Sequence, residues 1–169
     1  MCRCIPLFVF FYILSVKQGP AQDIRSQVDS LRYLGTDAFS CQSVFWRIVA
    51  RGKGAVPYLL DKISDTTVTN ATYKCKNGFL RVGDLAYLAL DNIIPLPFMA
   101  VTGMQCDVIE SGCPLGIFEY IEGNREKFKK QIADWDNRKQ KKFRWVKYKN
   151  SEITDCYRMN RITGRYELD

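Results

Sequence analysis

The sequence of 169 residues contains no histidine. This absence excludes serine–histidine and cysteine–histidine catalysis and histidine-bound metal sites, because each of them needs an imidazole. After residue 21 there is also no pair of cysteines separated by two residues, a spacing that is typical of zinc sites. We therefore expect no metal and no cofactor, and we assign no catalytic residue.

The sequence also lacks an apolar run of the roughly 20 residues that a membrane-spanning helix requires. The run IPLFVFFYILSV at 5–16 has 12 residues, follows a basic residue and precedes the small residues of KQGPA. This order is typical of a secretory signal peptide. We predict a signal peptide at 1–21, no membrane span in the mature chain, and export to the periplasm or the extracellular space.

Residues 22–169 are enough for one compact domain. They carry 23 basic and 18 acidic side chains, a net charge of +5. Residues 124–149 alone hold 11 Lys and Arg against three acids, a net charge of +8, so the remainder of the mature chain is net −3. The predicted domain is therefore asymmetric in charge.

Five of the seven cysteines follow the predicted leader: Cys41, Cys75, Cys106, Cys113 and Cys156. Exported cysteines usually pair, and an odd number leaves one over. Cys106 and Cys113 are near each other in sequence and are our first predicted pair. Cys41–Cys75 is the second, although four cysteines allow three connectivities.

Apolar residues at helical spacing predict a mainly α fold, with long loops and one short β-hairpin. The hairpin falls at 66–80, where Asn77-Gly78 is a strong turn pair. Residues 150–169 have little periodicity and are predicted to form an irregular tail. Helices are predicted at 23–34, 38–52, 55–65, 81–94 and 125–149.

The helix at 81–94 is apolar on most of its circumference, which predicts contact with neighbours on more than one side. Asp84 lies where its carboxylate can accept hydrogen bonds from the free amides of the first turn. Pro95 and Pro97 end the helix. Asp84, Tyr87 and Asp91 form the one narrow stripe that we expect to face water or a partner.

The segments GKGAVPYLLDKISD, from Gly52, and LRVGDLAYLALDNI, from Leu80, together resemble the junction of a HEAT-type helical repeat. The resemblance covers roughly 45 residues, about a quarter of the chain, and implies a compact HEAT-like helical domain that binds protein. It carries over no catalytic residue. The chain as a whole resembles uncharacterised secreted bacterial proteins, which implies no function.

The connection at 95–116 carries four apolar side chains for which water is a poor environment. They either pack over the core or form a partner surface, and the connection is our first candidate for a binding surface. Its candidate residues are Phe98, Met99, Val101 and Met104.

The basic, aromatic helix predicted at 124–149 is the second candidate surface. Such a helix is typical of nucleic-acid binding in the cytosol, but predicted export argues against that partner. Anionic lipid, envelope polysaccharide or an acidic protein would fit, and a solvated helix over a buried Trp135 would also explain the pattern. The candidate residues are Lys139, Lys142, Arg144, Trp145 and Tyr148.

These patterns predict an exported, non-enzymatic protein-binding module, for which an immunity or inhibitor protein is an analogy. The alternative is a protein that uses the basic helix to bind anionic lipid or polysaccharide at the envelope surface. A carboxylate-dependent hydrolase is a third hypothesis, since glycosidases need only two suitably placed acids. Its candidate carboxylates are Asp84, Asp91, Asp107, Glu110, Glu119 and Glu122.

Overall fold

The computed structural model describes residues 20–104, 109–110, 113–114 and 116–169, so most of the predicted signal peptide lies outside it. The described α-helices are α1 (Pro20–Asp29), α2 (Val44–Val49), α3 (Val56–Lys62), α4 (Val82–Ile93), α5 (Phe98–Thr102), α6 (Ile117–Gly123), α7 (Arg125–Lys139) and α8 (Asp155–Met159). The described strands are β1 (Val68–Tyr73), β2 (Lys76–Arg81), β3 (Ile109–Glu110), β4 (Cys113–Pro114), β5 (Phe143–Lys147) and β6 (Gly164–Leu168). The fold is mainly α, as predicted. Within the described residues, no helix is both long and apolar enough to cross a membrane.

Helix α4 is the centre of the core. Every residue from Val82 to Leu90 is buried, and the helix packs against both α2 and α3. Apolar side chains on most of the circumference make this position favourable, because each face of the helix removes apolar surface from water. The prediction that this helix contacts neighbours on more than one side is confirmed.

The first turn of α4 lies against the end of α3. A Cβ atom at Gly83 would be 2.2 Å from the Ile63 carbonyl oxygen and 2.6 Å from a guanidinium nitrogen of Arg125. Glycine is therefore required for this close approach. The approach also lets the Gly83 amide donate to the Asp65 carbonyl at 3.0 Å.

Asp84 accepts a hydrogen bond from the Arg81 amide at 2.9 Å, so its predicted capping role is confirmed. The stripe predicted to face water is wrong at two of its three positions. Asp84 is fully buried and pairs with Arg125 at 2.9 Å and Lys76 at 2.7 Å. Tyr87 is also buried, while Asp91 reaches the surface. Two cations inside the fold, which periodicity does not reveal, allow the Asp84 carboxylate to be buried.

Strands β1 and β2 form the predicted hairpin, but its turn lies at Lys74 and Cys75, since Tyr73 pairs with Lys76. Asn77 and Gly78 lie inside β2, where the register shifts by a bulge. Gly78 has a φ of 82°, a conformation that glycine adopts without strain. The Asn-Gly pair thus forms the bulge and not the turn.

The helix predicted at 125–149 ends at Lys139, and the predicted irregular tail at 150–169 contains α8 and β6. Strand β5 pairs with β6 in antiparallel register, with Trp145 opposite Tyr166. Both predictions were wrong for one reason. Each strand pairs with a strand about 20 residues away, so the local sequence of neither segment reveals that it is a strand. Three described hairpins replace the single predicted one.

A disulfide joins Cys41 to Cys156, with the two Cα atoms 4.4 Å apart. The predicted Cys41–Cys75 pair is wrong, and Cys75 belongs to a separate disulfide. The predicted Cys106–Cys113 pair lies outside the described residues. Cys41 lies in turns ahead of α2, where a helix from 38 was predicted, because the first helical residue is Val44. Proximity in sequence led to the wrong predicted pair, because the fold brings the C-terminal segment back to Cys41.

Candidate functional site

A strongly cationic exposed surface is the basic hairpin, which we define as residues 138–149 of the β5 segment together with β6. Residues 138–149 contain seven basic side chains with no acid among them, and all but the half-buried Lys139 are exposed. These cations are distributed over the last turn of α7, a short 3-10 turn, β5 and the residues just after it, and only Arg144 and Lys147 lie on the strand itself. They are Arg138, Lys139, Lys141, Lys142, Arg144, Lys147 and Lys149.

The acids on and beside β6 neutralise only a small part of this charge, because Glu167 pairs with Arg165 of its own strand. Arg144 pairs with Asp169 at 2.8 Å, and Arg165 pairs with Glu167 at 2.8 Å. This hydrogen bond to Glu167 raises the pKa of the Arg165 guanidinium. Within the part of the chain that the structure describes, Lys142 and Lys147 make no ion pair. The basic hairpin therefore keeps unpaired positive charge that is free to meet an anion.

Trp145 lies at the middle of β5 with 48 % of its surface exposed. Its ring meets the edge of Tyr166 with the centroids 4.9 Å apart. A Cβ atom at Gly164 would be 2.9 Å from the indole Cε2 atom, so the absence of a side chain there lets the indole lie against the strand. These two contacts hold the indole in one orientation. The prediction that Trp145 is at the surface is confirmed, although on a strand and not on a helix.

Tyr148 has a structural role at the end of the basic hairpin. Its ring stacks on Tyr157 of α8 with the centroids 5.0 Å apart and the planes within 9°. Burial, followed by the hydrogen bond to Tyr157, raises the pKa of the Tyr148 phenol well above its usual range. The phenol therefore stays protonated, and the pair joins β5 to α8 beside a cleft of about 310 Å³.

The apolar residues predicted at 95–116 do not form one surface. Phe98 is 7 % exposed and packs on Tyr87, Tyr120 and Phe128. Its prediction as a binding residue is wrong, because α5 turns this ring towards α7. Met99 on the same helix is 56 % exposed.

Val101 and Met104 are half-buried and pack against the core. Phe98 contacts Phe128, whereas Lys139 lies 11 residues further along α7, about 16 Å at helical rise. The predicted apolar surface at 95–116 and the predicted basic surface therefore lie beside different parts of α7.

Replacing Phe98 by alanine is expected to lower the free energy of unfolding by about 3 kcal/mol, because it removes a buried ring from an aromatic cluster. The matched Met99→Ala variant removes an exposed side chain and is expected to change it by less than about 0.5 kcal/mol. Urea unfolding of both variants measures the difference. Equal losses would contradict the assignment of Phe98 to the core and Met99 to the surface.

Two of the carboxylates considered for a hydrolase share one cation, and the other described ones have separate surroundings. Asp84 and Glu122 both contact Lys76, with Nζ–oxygen distances of 2.7 and 3.8 Å, and Glu122 also pairs with Arg81. Asp91 accepts a hydrogen bond from the Leu96 amide at 3.0 Å. Glu119 is exposed, and Asp107 and the Glu110 side chain lie outside the description. Among the described residues, no group of three or more acids and cysteines is placed to hold a metal ion.

Sequence reasoning missed the residues that complete the basic hairpin, because it treated the C-terminal segment as irregular. Ile162 and Gly164 are buried, and Tyr166 is half-buried, whereas Arg165 between them is exposed. This alternation is the periodicity of a strand, and it is visible in the sequence ITGRYEL. It could have predicted β6 and, with it, a partner for Trp145.

No protein-family model, curated protein or solved structure matches this chain. The function is therefore argued from the geometry of the described residues.

Proposed function

We propose that the protein is an exported, non-enzymatic binding module that uses the basic hairpin to hold an anionic polysaccharide of the cell envelope. The observation that carries the proposal is the run of seven cations at residues 138–149, six of them exposed, together with the half-exposed Trp145 on β5. Positive charge attracts a polyanion over a distance, and an aromatic face supplies short-range contact.

The fixed position of the Trp145 side chain favours a polysaccharide over a lipid surface as the partner. Proteins that bind bilayers bury freely projecting apolar side chains at the acyl boundary. The indole of Trp145 is instead held against Gly164 and Tyr166. A half-exposed indole that is held in place suits a sugar ring stacked on it.

The compartment supports the same class of partner. The 12-residue apolar run and the small residues after it predict secretion. The Cys41–Cys156 disulfide fits an oxidising location outside the cytoplasm. An exported cationic surface meets envelope polyanions far more often than it meets nucleic acid.

The proposal is tested with the double variant Lys142→Ser/Lys147→Ser and immobilised polygalacturonate as the probe. We expect its affinity to fall about 5- to 30-fold at low salt, since each lost ion pair contributes roughly 0.5–1 kcal/mol. The matched control is Lys127→Ser/Lys130→Ser, which removes two exposed lysines from α7 and changes the net charge equally. Equal losses in the two variants would show a general charge effect and would contradict the assignment to the basic hairpin.

A protein partner is the second candidate function, and exposed apolar side chains favour it. Val68 and Phe79 on the β1–β2 hairpin are 61 % and 53 % exposed, and Met99 on α5 is 56 % exposed. Apolar contact is insensitive to salt, unlike the attraction between a polyanion and lysines. One protein that stays bound at 1 M NaCl, and is released by Val68→Ser/Phe79→Ser, would support this function.

A further inference from the structure

A second feature of the basic hairpin is the Trp145 cleft, a hollow of about 220 Å³ between the hairpin and helices α2 and α4. Its volume is below the range of roughly 300–1,000 Å³ that holds drug-sized ligands, so it suits a single ring. The side chains that give the cleft its chemistry are Trp145, Tyr166, Asn92, Arg161 and Thr163.

The aromatic wall of the cleft is already rigid. The indole of Trp145 lies against Gly164, and its ring centroid is 4.9 Å from that of Tyr166. Lys53 lies over the Tyr166 ring, with Nζ 4.3 Å from the centroid. When a ring stacks on Trp145, the protein needs little further ordering, so little binding free energy is lost.

The polar atoms of the cleft are left available. The Asn92 amide nitrogen donates to the Leu88 carbonyl at 2.8 Å, so the amide oxygen remains as an acceptor. Across the described part of the chain, neither the Thr163 hydroxyl nor the Arg161 guanidinium has a hydrogen-bond or ion-pair partner. The residues that carry this acceptor, this hydroxyl and this cation thus line a ring-sized space beside an aromatic side chain.

Arg161 occupies a backbone position that favours glycine. The amide of Ile162 donates to the Tyr157 carbonyl at 2.8 Å, and the amide of Arg161 donates to the Arg158 carbonyl at 3.2 Å. These two bonds define the Schellman motif that ends α8, and its left-handed residue is usually glycine. Arg161 has a φ of 57° there, a conformation that disfavours side chains with a Cβ.

A strained arginine with no partner in the described residues points to a use other than folding. We propose that the Trp145 cleft is a subsite for one uronic acid ring of an anionic polysaccharide. The sugar ring stacks on Trp145, its carboxylate pairs with Arg161, and its hydroxyls bond to Asn92 and Thr163. This inference rests on the proposed function and names the sugar class that the basic hairpin takes.

The test is calorimetric titration of the protein with trigalacturonate, which carries only three carboxylates. Trigalacturonate methyl ester is the matched ligand, because it keeps the rings and removes the negative charge. We expect the acid to bind at least 10-fold more tightly than the ester. Equal affinities would overturn the pairing of the carboxylate with Arg161.

Two variants separate binding from folding. Arg161→Gly is expected to raise the melting temperature by about 2–4 °C, because glycine relieves the left-handed strain, and to weaken trigalacturonate binding at least 10-fold. Trp145→Ala is expected to weaken binding 5-fold or more through loss of stacking. The control is Arg158→Ala, which removes an exposed arginine of α8 outside the cleft and should leave the affinity unchanged. Unchanged affinity in Arg161→Gly would overturn the subsite.

The outcomes also separate this inference from the proposed function. Polygalacturonate binding that depends on Lys142 and Lys147, together with no trigalacturonate binding, would overturn the subsite and leave the function of the basic hairpin in place. Trigalacturonate binding that depends on Arg161, with polygalacturonate binding unaffected by the two lysines, would support the subsite and contradict that function.

Discussion

Replacing Asp84 by alanine is expected to lower the free energy of unfolding by about 4–6 kcal/mol. Its carboxylate is fully buried and pairs with Arg125 and Lys76, whose side chains are 6 % and 8 % exposed. Removing one partner of a buried pair leaves an uncompensated charge and costs about 3–5 kcal/mol. The lost hydrogen bond from the Arg81 amide adds about 1 kcal/mol. Urea unfolding at pH 7 measures the change.

Glu122 provides the control for this prediction. Its side chain is 46 % exposed and pairs with Arg81 and Lys76 at the outer edge of the same cluster. Glu122→Gln is expected to cost less than about 1 kcal/mol, because water screens the pair. Combining Asp84→Asn with Arg125→Met removes the buried carboxylate together with one of its two buried cations, and should be less costly than Asp84→Asn alone. A double variant that is less stable than Asp84→Asn alone would contradict the explanation that uncompensated buried charge causes the loss of stability.

Loss of the Cys41–Cys156 disulfide in the Cys41→Ser/Cys156→Ser variant is expected to cost about 4–5 kcal/mol. The two cysteines are 115 residues apart, and the unfolded chain gains entropy when so long a loop is opened. Serine keeps the size of each side chain, and Cys75 keeps its own disulfide. Chemical unfolding in non-reducing buffer gives the value. A cost below about 1 kcal/mol would show that other contacts already hold α8 in place, among them the 2.8 Å bond from Asn160 to the Cys41 carbonyl.

The parts of the fold that the sequence predicted are those with strong local periodicity. Helices α1, α3 and α4 and the buried face of α7 follow from apolar residues three and four positions apart. Asp84 was predicted as a cap because capping depends on a few neighbouring residues. Its burial was not predictable, since Lys76 lies before the helix and Arg125 is 41 residues away.

The parts that could not be predicted depend on distant pairing. Residues 143–147 follow a helix and carry basic side chains, so they suggest a longer helix until Gly164–Leu168 is placed beside them. The Cys41–Cys156 pair depends on the same return of the chain. Of the candidate binding residues, Lys142, Arg144 and Trp145 are exposed on or beside β5, and their role in binding stays a prediction. Arg161 was missed, because only the backbone conformation shows that it is unusual.

The basic hairpin is the centre of this account, and its most direct test is the salt dependence of polygalacturonate binding by the intact protein. We predict that the logarithm of the association constant falls linearly with the logarithm of NaCl concentration between 50 and 500 mM, as for other polyanions. Neutral dextran should show no binding, and vesicles of anionic lipid should bind more weakly than polygalacturonate. Affinity that does not change with salt, or tighter binding to the vesicles, would contradict the account.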